Sequence, residues 1–149
     1  MSQENVEIVR SLQPSPDTDL VALFRDEATA TALAETVAPL FHDDFEADFE
    51  DWTPGERIRF AGLEGLRAAW LDWLDPWESY RTEIEDVIDA GDKVVVLARD
   101  YGRRPGMAAE VSVVAGAVWT FREGKIAKAA FYLDRSQALE AAGLSGLSE

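Results

Sequence analysis

A chain of 149 residues is the size of one domain, and an apolar fraction of 47% is that of a globular protein. Acidic residues number 29 against 14 basic ones, and the resulting charge of −15 repels phosphate backbones and anionic membranes, which argues against nucleic-acid binding. Cysteine is absent, which excludes disulfides, thiol catalysis and thiolate metal sites.

The opening residues carry neither the basic region nor the apolar stretch of a signal peptide. No apolar run approaches the ~20 residues of a membrane span, so a cytoplasmic protein is expected. Residues 3–12 place Val6 and Val9 on one side of a short helix that Pro14 and Pro16 end. Ser15 then has the chemistry of an N-cap with Pro16 at the first helical position, and Leu20, Leu23 and Phe24 recur at helical spacing beyond it. A third helix is expected over about 26–40, with Leu33, Val37 and Leu40 in register. Residues 1–40 thus read as a helical layer.

From Asp43 the period changes to two. Phe45, Ala47 and Phe49 alternate with acids, and Trp52-Thr53-Pro54-Gly55 is turn chemistry leading to a second short strand with Ile58 and Phe60. Residues 63–78 carry Leu63, Leu66, Trp70, Trp73, Leu74 and Trp77 on one apolar stripe. Such a stripe is more often plain core, and the same residues can also wall a pocket. Strands are expected at 79–88, 93–102, 109–122 and 125–133, with turns at Ala90-Gly91-Asp92 and Glu123-Gly124-Lys125. Val94-Val95-Val96-Leu97 is apolar on both faces, as a strand covered on both sides is. Asp134 has the spacing of a cap for a last helix at 135–142, which Gly143 stops.

This order of elements resembles the NTF2-like superfamily, and its SnoaL-like branch in particular. The resemblance is carried by Arg59-Phe60-Ala61-Gly62-Leu63-Glu64-Gly65-Leu66-Arg67, by Asp89-Ala90-Gly91-Asp92-Lys93-Val94-Val95-Val96, and by Trp119-Thr120-Phe121-Arg122-Glu123-Gly124-Lys125-Ile126 followed by Tyr132-Leu133-Asp134. It implies one α+β domain over 1–149, a cone-like curved antiparallel sheet with helices packed on its concave face. Residues 41–143 would be the core and the stretch near 13–30 an insertion. Relatives include ketosteroid isomerases, polyketide cyclases and epoxide hydrolases, so the fold leaves the function open.

The resemblance also directs attention to acids on particular strands. A base near the end of the first strand would be Asp51, whose simpler reading is a turn cap, while Asp48 alternates away from the apolar face and reads as a surface acid. Where related hydrolases use an aspartate in the last strand, this chain has Phe131. Arg99-Asp100-Tyr101 is the remaining polar cluster. Neighbours in a strand face opposite sides, so either Arg99 and Tyr101 point inward as an anion- or carbonyl-binding pair, or Asp100 does as a base whose pKa burial raises. A cross-strand ion pair is the simpler alternative. His42, Asp43 and Asp44 are consecutive and do not converge on one metal ion, so no metal and no cofactor is expected.

The first expectation is a pocket protein holding a small apolar or aromatic molecule between Trp70, Trp73 and Trp77 on one side and Val113, Ala115, Trp119 and Phe131 on the other. Arg99, Tyr101 or Asp100 would supply the polar handle. The second is a cofactor-independent isomerase, cyclase or hydrolase with Asp100 or Asp51 as base and Tyr101 as donor to an oxyanion. The third is a homodimer paired through an outer patch of Val114, Gly116 and Val118.

Overall fold

Asp19, not Ser15, starts the second helix. Its Oδ1 accepts from the Val21 N–H at 3.0 Å and also from the Tyr80 N–H at 3.1 Å, so one carboxylate caps the helix and ties it to the sheet. Ser15 instead closes a local turn, its Oγ accepting from Asp17 N–H and its carbonyl from Thr18 N–H. The computed structural model describes residues 2–53 and 56–144, the side chains of 2, 50–53 and 56–60 excepted. The turn at Pro54-Gly55 lies outside the described residues.

In chain order the helices α1 (Ser2–Leu12), α2 (Leu20–Arg25) and α3 (Glu27–Val37) lead through a 3₁₀ turn at Ala38–Leu40 to the strands β1 (Phe41–Thr53) and β2 (Glu56–Ala61). Helix α4 (Gly62–Leu74) precedes β3 (Ser79–Asp89), β4 (Lys93–Arg103), β5 (Val111–Arg122) and β6 (Lys125–Tyr132), and α5 (Arg135–Ala141) follows. Helix α4 stops four residues short of the expected end because Pro76 cannot continue it. Trp77 therefore leaves the helix, and its ring lies over the β4 backbone. A Cβ built at Gly102 would stand 2.4 Å from Trp77 Cε3, so only glycine permits that approach.

Among the described residues the six strands form one sheet in the order β2-β1-β6-β5-β4-β3. The expectation of a wholly antiparallel sheet needs one correction: β1 and β6 run parallel, with Ala47 opposite Ala129 and Phe49 opposite Phe131. The rest of the chain between these two strands supplies the long crossover that parallel pairing requires. Register shifts in β1, β3 and at Thr120/Phe121 of β5 bend the strands, as bulges do, and the sheet curves into an α+β cone.

The main core lies on the concave face. Val9 of α1 and Ala69 of α4 are buried against Phe45, Ala47, Phe49, Val94, Val96, Trp119 and Ile126. At tens of square ångströms per side chain and about 25 cal/mol per Å² this burial is the chief source of stability. A second cluster of Leu20, Val21, Leu74, Trp77 and Tyr80 fastens α2 to the end of α4 and to β3. Helix α5 departs from the expected arrangement, because it covers the convex face: Ala138 and Leu139 bury Val95 and Val118. Gly116 gives it room, since a Cβ there would meet the Ala138 Cβ at 2.9 Å.

That helix alters the outer patch anticipated for a homodimer. Val118 is buried beneath α5 and Gly116 packs against it, so two of the three patch residues are already covered by the same chain. Asp48 also departs from expectation. It does face away from Phe45 and Phe49, yet it is fully buried, with Lys128 Nζ 3.0 Å from its Oδ2. Asp134 caps α5 as its spacing suggests, accepting from Ser136 N–H at 2.8 Å.

Candidate functional site

Between the helices and the concave face lies a cavity of about 840 Å³. Helices α2, α3 and α4 supply one wall, and β3, β4, β5 and β6 the other. Helix α3 has no buried residue, and its apolar side, with Ala30, Ala34 and Val37, borders the hollow. The size suits a small organic molecule.

Aromatic rings make up much of the wall. Trp70 stacks on Phe24 with centroids 5.8 Å apart and meets Phe131 edge-on at 5.7 Å, and Trp119 meets Phe131 edge-on at 5.9 Å. The indole Nε1 of Trp119 is buried with no hydrogen-bond partner. Of the residues expected to bind a ligand, Trp70, Trp73, Ala115, Trp119 and Phe131 line the cavity. Trp77 and Val113 do not: Trp77 is committed to Tyr80 and Gly102 instead.

The strand β4 resolves the alternatives at Arg99-Asp100-Tyr101. Val94, Val96, Ala98 and Asp100 share the concave face by period two, and Asp100, only 5% exposed, lines the cavity. Arg99 and Tyr101 lie on the convex face. Arg99 bonds Glu85 and Ser112 there, and the Arg81 guanidinium rests 4.1 Å from the Tyr101 ring centroid. An ion pair across strands is thus present, but it belongs to Arg99 and not to Asp100. Arg99 and Tyr101 are absent from the cavity wall, which corrects their expected roles as handle and oxyanion donor. The side chain of Asp51 lies outside the described residues.

Asp100 is held by two hydroxyls. Tyr80 Oη donates to its Oδ2 at 2.8 Å and Thr82 Oγ1 to its Oδ1 at 2.6 Å. Tyr80 is in turn hydrogen-bonded to Trp73, and since an indole N–H only donates, the phenol oxygen accepts from Trp73 and its own proton goes to Asp100. Burial raises the Asp100 pKa, an effect that the bonds from Thr82 and Tyr80 partly oppose. Burial, and then the neighbouring Asp100 charge, push the Tyr80 phenol upward as well.

Tyr80 and Thr82 were not among the expected site residues. They alternate with Arg81 on β3, and the antiparallel register sets Thr82 opposite Asp100, so cross-strand pairing was the signal that pointed to them. Arg67 is another wall residue, with Nε and Nη2 donating to the Phe24 carbonyl at 3.0 and 2.7 Å. His42 Nε2 sits against the Arg122 carbonyl, and Arg122 pairs with Asp44 at 2.8 Å. Among the described residues no helix is long and apolar enough to cross a membrane.

The fold has many solved counterparts. A protein from Jannaschia sp. CCS1 described as a proposed SnoaL-like polyketide cyclase is 19% identical, with 87% of this chain and 84% of that one aligned and a TM-score of 0.59. A protein with a ketosteroid isomerase-like fold from Catenulispora acidiphila, solved in complex with trimethylamine, is 20% identical over 89% of this chain and 95% of that one, with a TM-score of 0.56. TerC, co-crystallised with polyporic acid, is 17% identical over 94% and 98%, with a TM-score of 0.60. Identities this low establish the fold alone. Among curated proteins none matches. The family model of the SnoaL-like domain matches residues 20–129, most of the chain. The chain belongs to the SnoaL-like family.

Proposed function

We propose that this protein binds a small, largely apolar organic molecule in the cavity between α4 and the concave face of the sheet. The observation that carries the reading is the cavity itself: about 840 Å³, walled by indole and phenyl rings, with one buried carboxylate cluster on the β3–β4 side. Aromatic walls supply apolar contact area, and a few placed polar groups fix orientation. Trp119 Nε1, buried without a partner, offers a donor to a ligand oxygen, which would lift the cost of an unsatisfied N–H. Two structural neighbours were solved with small organic molecules, which supports the same use of the fold here.

A second reading, catalysis, is favoured by the burial of Asp100. A carboxyl group whose pKa is raised in an apolar hollow is suited to take a proton from carbon or water near neutral pH. Tyr80 and Thr82 then hold the carboxylate in place, and the protein needs no cofactor to work as an isomerase, cyclase or hydrolase. Substrates drawn from ketones, lactones and epoxides test both readings at once, with binding followed by quenching of tryptophan fluorescence. A bound substrate that is turned over should lose about 10²–10⁴-fold in rate on Asp100→Asn. Turnover unchanged by that substitution would remove Asp100 as the base, and a panel that neither binds nor reacts would count against the cavity as a ligand site.

A further inference from the structure

Among the described residues Asp100 has no counter-ion: its hydrogen-bond partners are two neutral hydroxyls. A carboxylate has about four lone-pair sites, and Tyr80 and Thr82 use two, so acceptor capacity remains on a side chain that lines the cavity. The bond from Trp73 into Tyr80 keeps Oδ2 an acceptor, because it directs the phenol proton to Asp100. A buried charge without a partner is costly and ordinarily either takes a proton or meets an opposite charge.

The rest of the wall has the same sign. Among the described residues of the wall, Glu35, Glu64 and Asp100 stand against one basic residue, Arg67. Arg67 is tied to the Phe24 carbonyl and precedes Trp73 by six residues on α4, ~9 Å along the helix axis. Indole and phenol rings stand near the carboxylate: Tyr80 bonds it, Trp73 packs edge to face with Tyr80 at 6.2 Å, and Trp70 stands one turn earlier on α4. Such faces attract cations. A surface of net charge −15 also concentrates cations around the molecule.

We infer that the ligand is an organic cation, an ammonium group on an apolar or aromatic body, seated with its charge against Asp100 and its body along Trp70 and Trp73. This inference rests on the cavity being a ligand site, and goes beyond that reading by naming the ligand's charge. It also separates two fates of the carboxyl group: a protonated Asp100 would gain nothing from a cation and would favour a neutral ligand with an acceptor oxygen.

The test compares benzyltrimethylammonium with (2,2-dimethylpropyl)benzene, its neutral isostere, on the full chain near neutral pH and low salt. The ammonium is expected to bind at least tenfold tighter. Asp100→Asn should abolish that preference, so that the two compounds bind alike. Equal or weaker binding of the ammonium overturns the inference and leaves the cavity reading standing. Failure of both compounds, with no uptake of the neutral dye Nile red, overturns the cavity reading itself. The wild-type comparison decides the matter even if the variant does not fold.

Discussion

Asp100 sits where two demands on a carboxyl group conflict. Burial beside Val96 and Ala98 disfavours its charge, while the Tyr80 and Thr82 hydroxyls favour it, and burial is the larger effect. Its folded pKa therefore lies above the ordinary value of 3.8. For an acid shifted upward, the folded state binds the proton more tightly than the unfolded chain. The stability this group contributes is then full below 3.8 and is lost as pH rises through the folded value. Exposed Glu85, Glu110 and Asp44 are shifted the other way by arginine bonds and act in the opposite sense. Comparison with Asp100→Asn cancels them. Urea unfolding across the acid range should show wild type gaining stability relative to Asp100→Asn as pH falls from 7 toward 4. A difference that is flat, or that grows with pH, contradicts the account.

The elements that sequence made most legible were the strands after α4, and the reason is local. They are long apolar runs bounded by turns such as Ala90-Gly91-Asp92, where Ala90 N–H reaches the Lys93 carbonyl and Gly91 takes a positive φ of 83°. The phase of β4 was not legible. Val94, Val95 and Val96 are all buried, two beneath the concave core and one beneath α5, so an apolar run with both faces covered did not show which side Asp100 would take. Asp48 misled for a similar reason: alternation placed it on the outer face, but only the folded chain brings Lys128 of β6 to it. The early end of α4 hides in Pro76, and its consequence is the contact of Trp77 with Gly102. Gly102→Ala should force the indole off β4 and disturb Tyr80, which packs on the same ring at 5.5 Å. A loss of about 1–3 kcal/mol is expected from such overpacking. Thermal unfolding measures it, and an unchanged midpoint would mean that the ring moves freely.

At the scale of the whole molecule the two faces of the sheet have different work. The convex face is finished by α5 over Val95 and Val118 and by ion pairs among Arg81, Glu83, Glu85, Arg99, Glu110 and Arg135. These pairs are half-exposed and contribute little each, but they leave that side polar. The concave face is covered by α4 along β1 and β2, by α1 along β3 and β4, and by α2 at β3. Between these helices a hollow remains against β3, β4 and β5, and Asp100 lines it. Its use as a ligand site is the claim on which the functional reading depends. A crystal soaked in iodobenzene tests it most directly, since iodine marks its own position by anomalous scattering. The account predicts a peak between Trp70 or Trp73 and the Ala98–Ala117 surface. An unmarked hollow closed by the indole rings would contradict it.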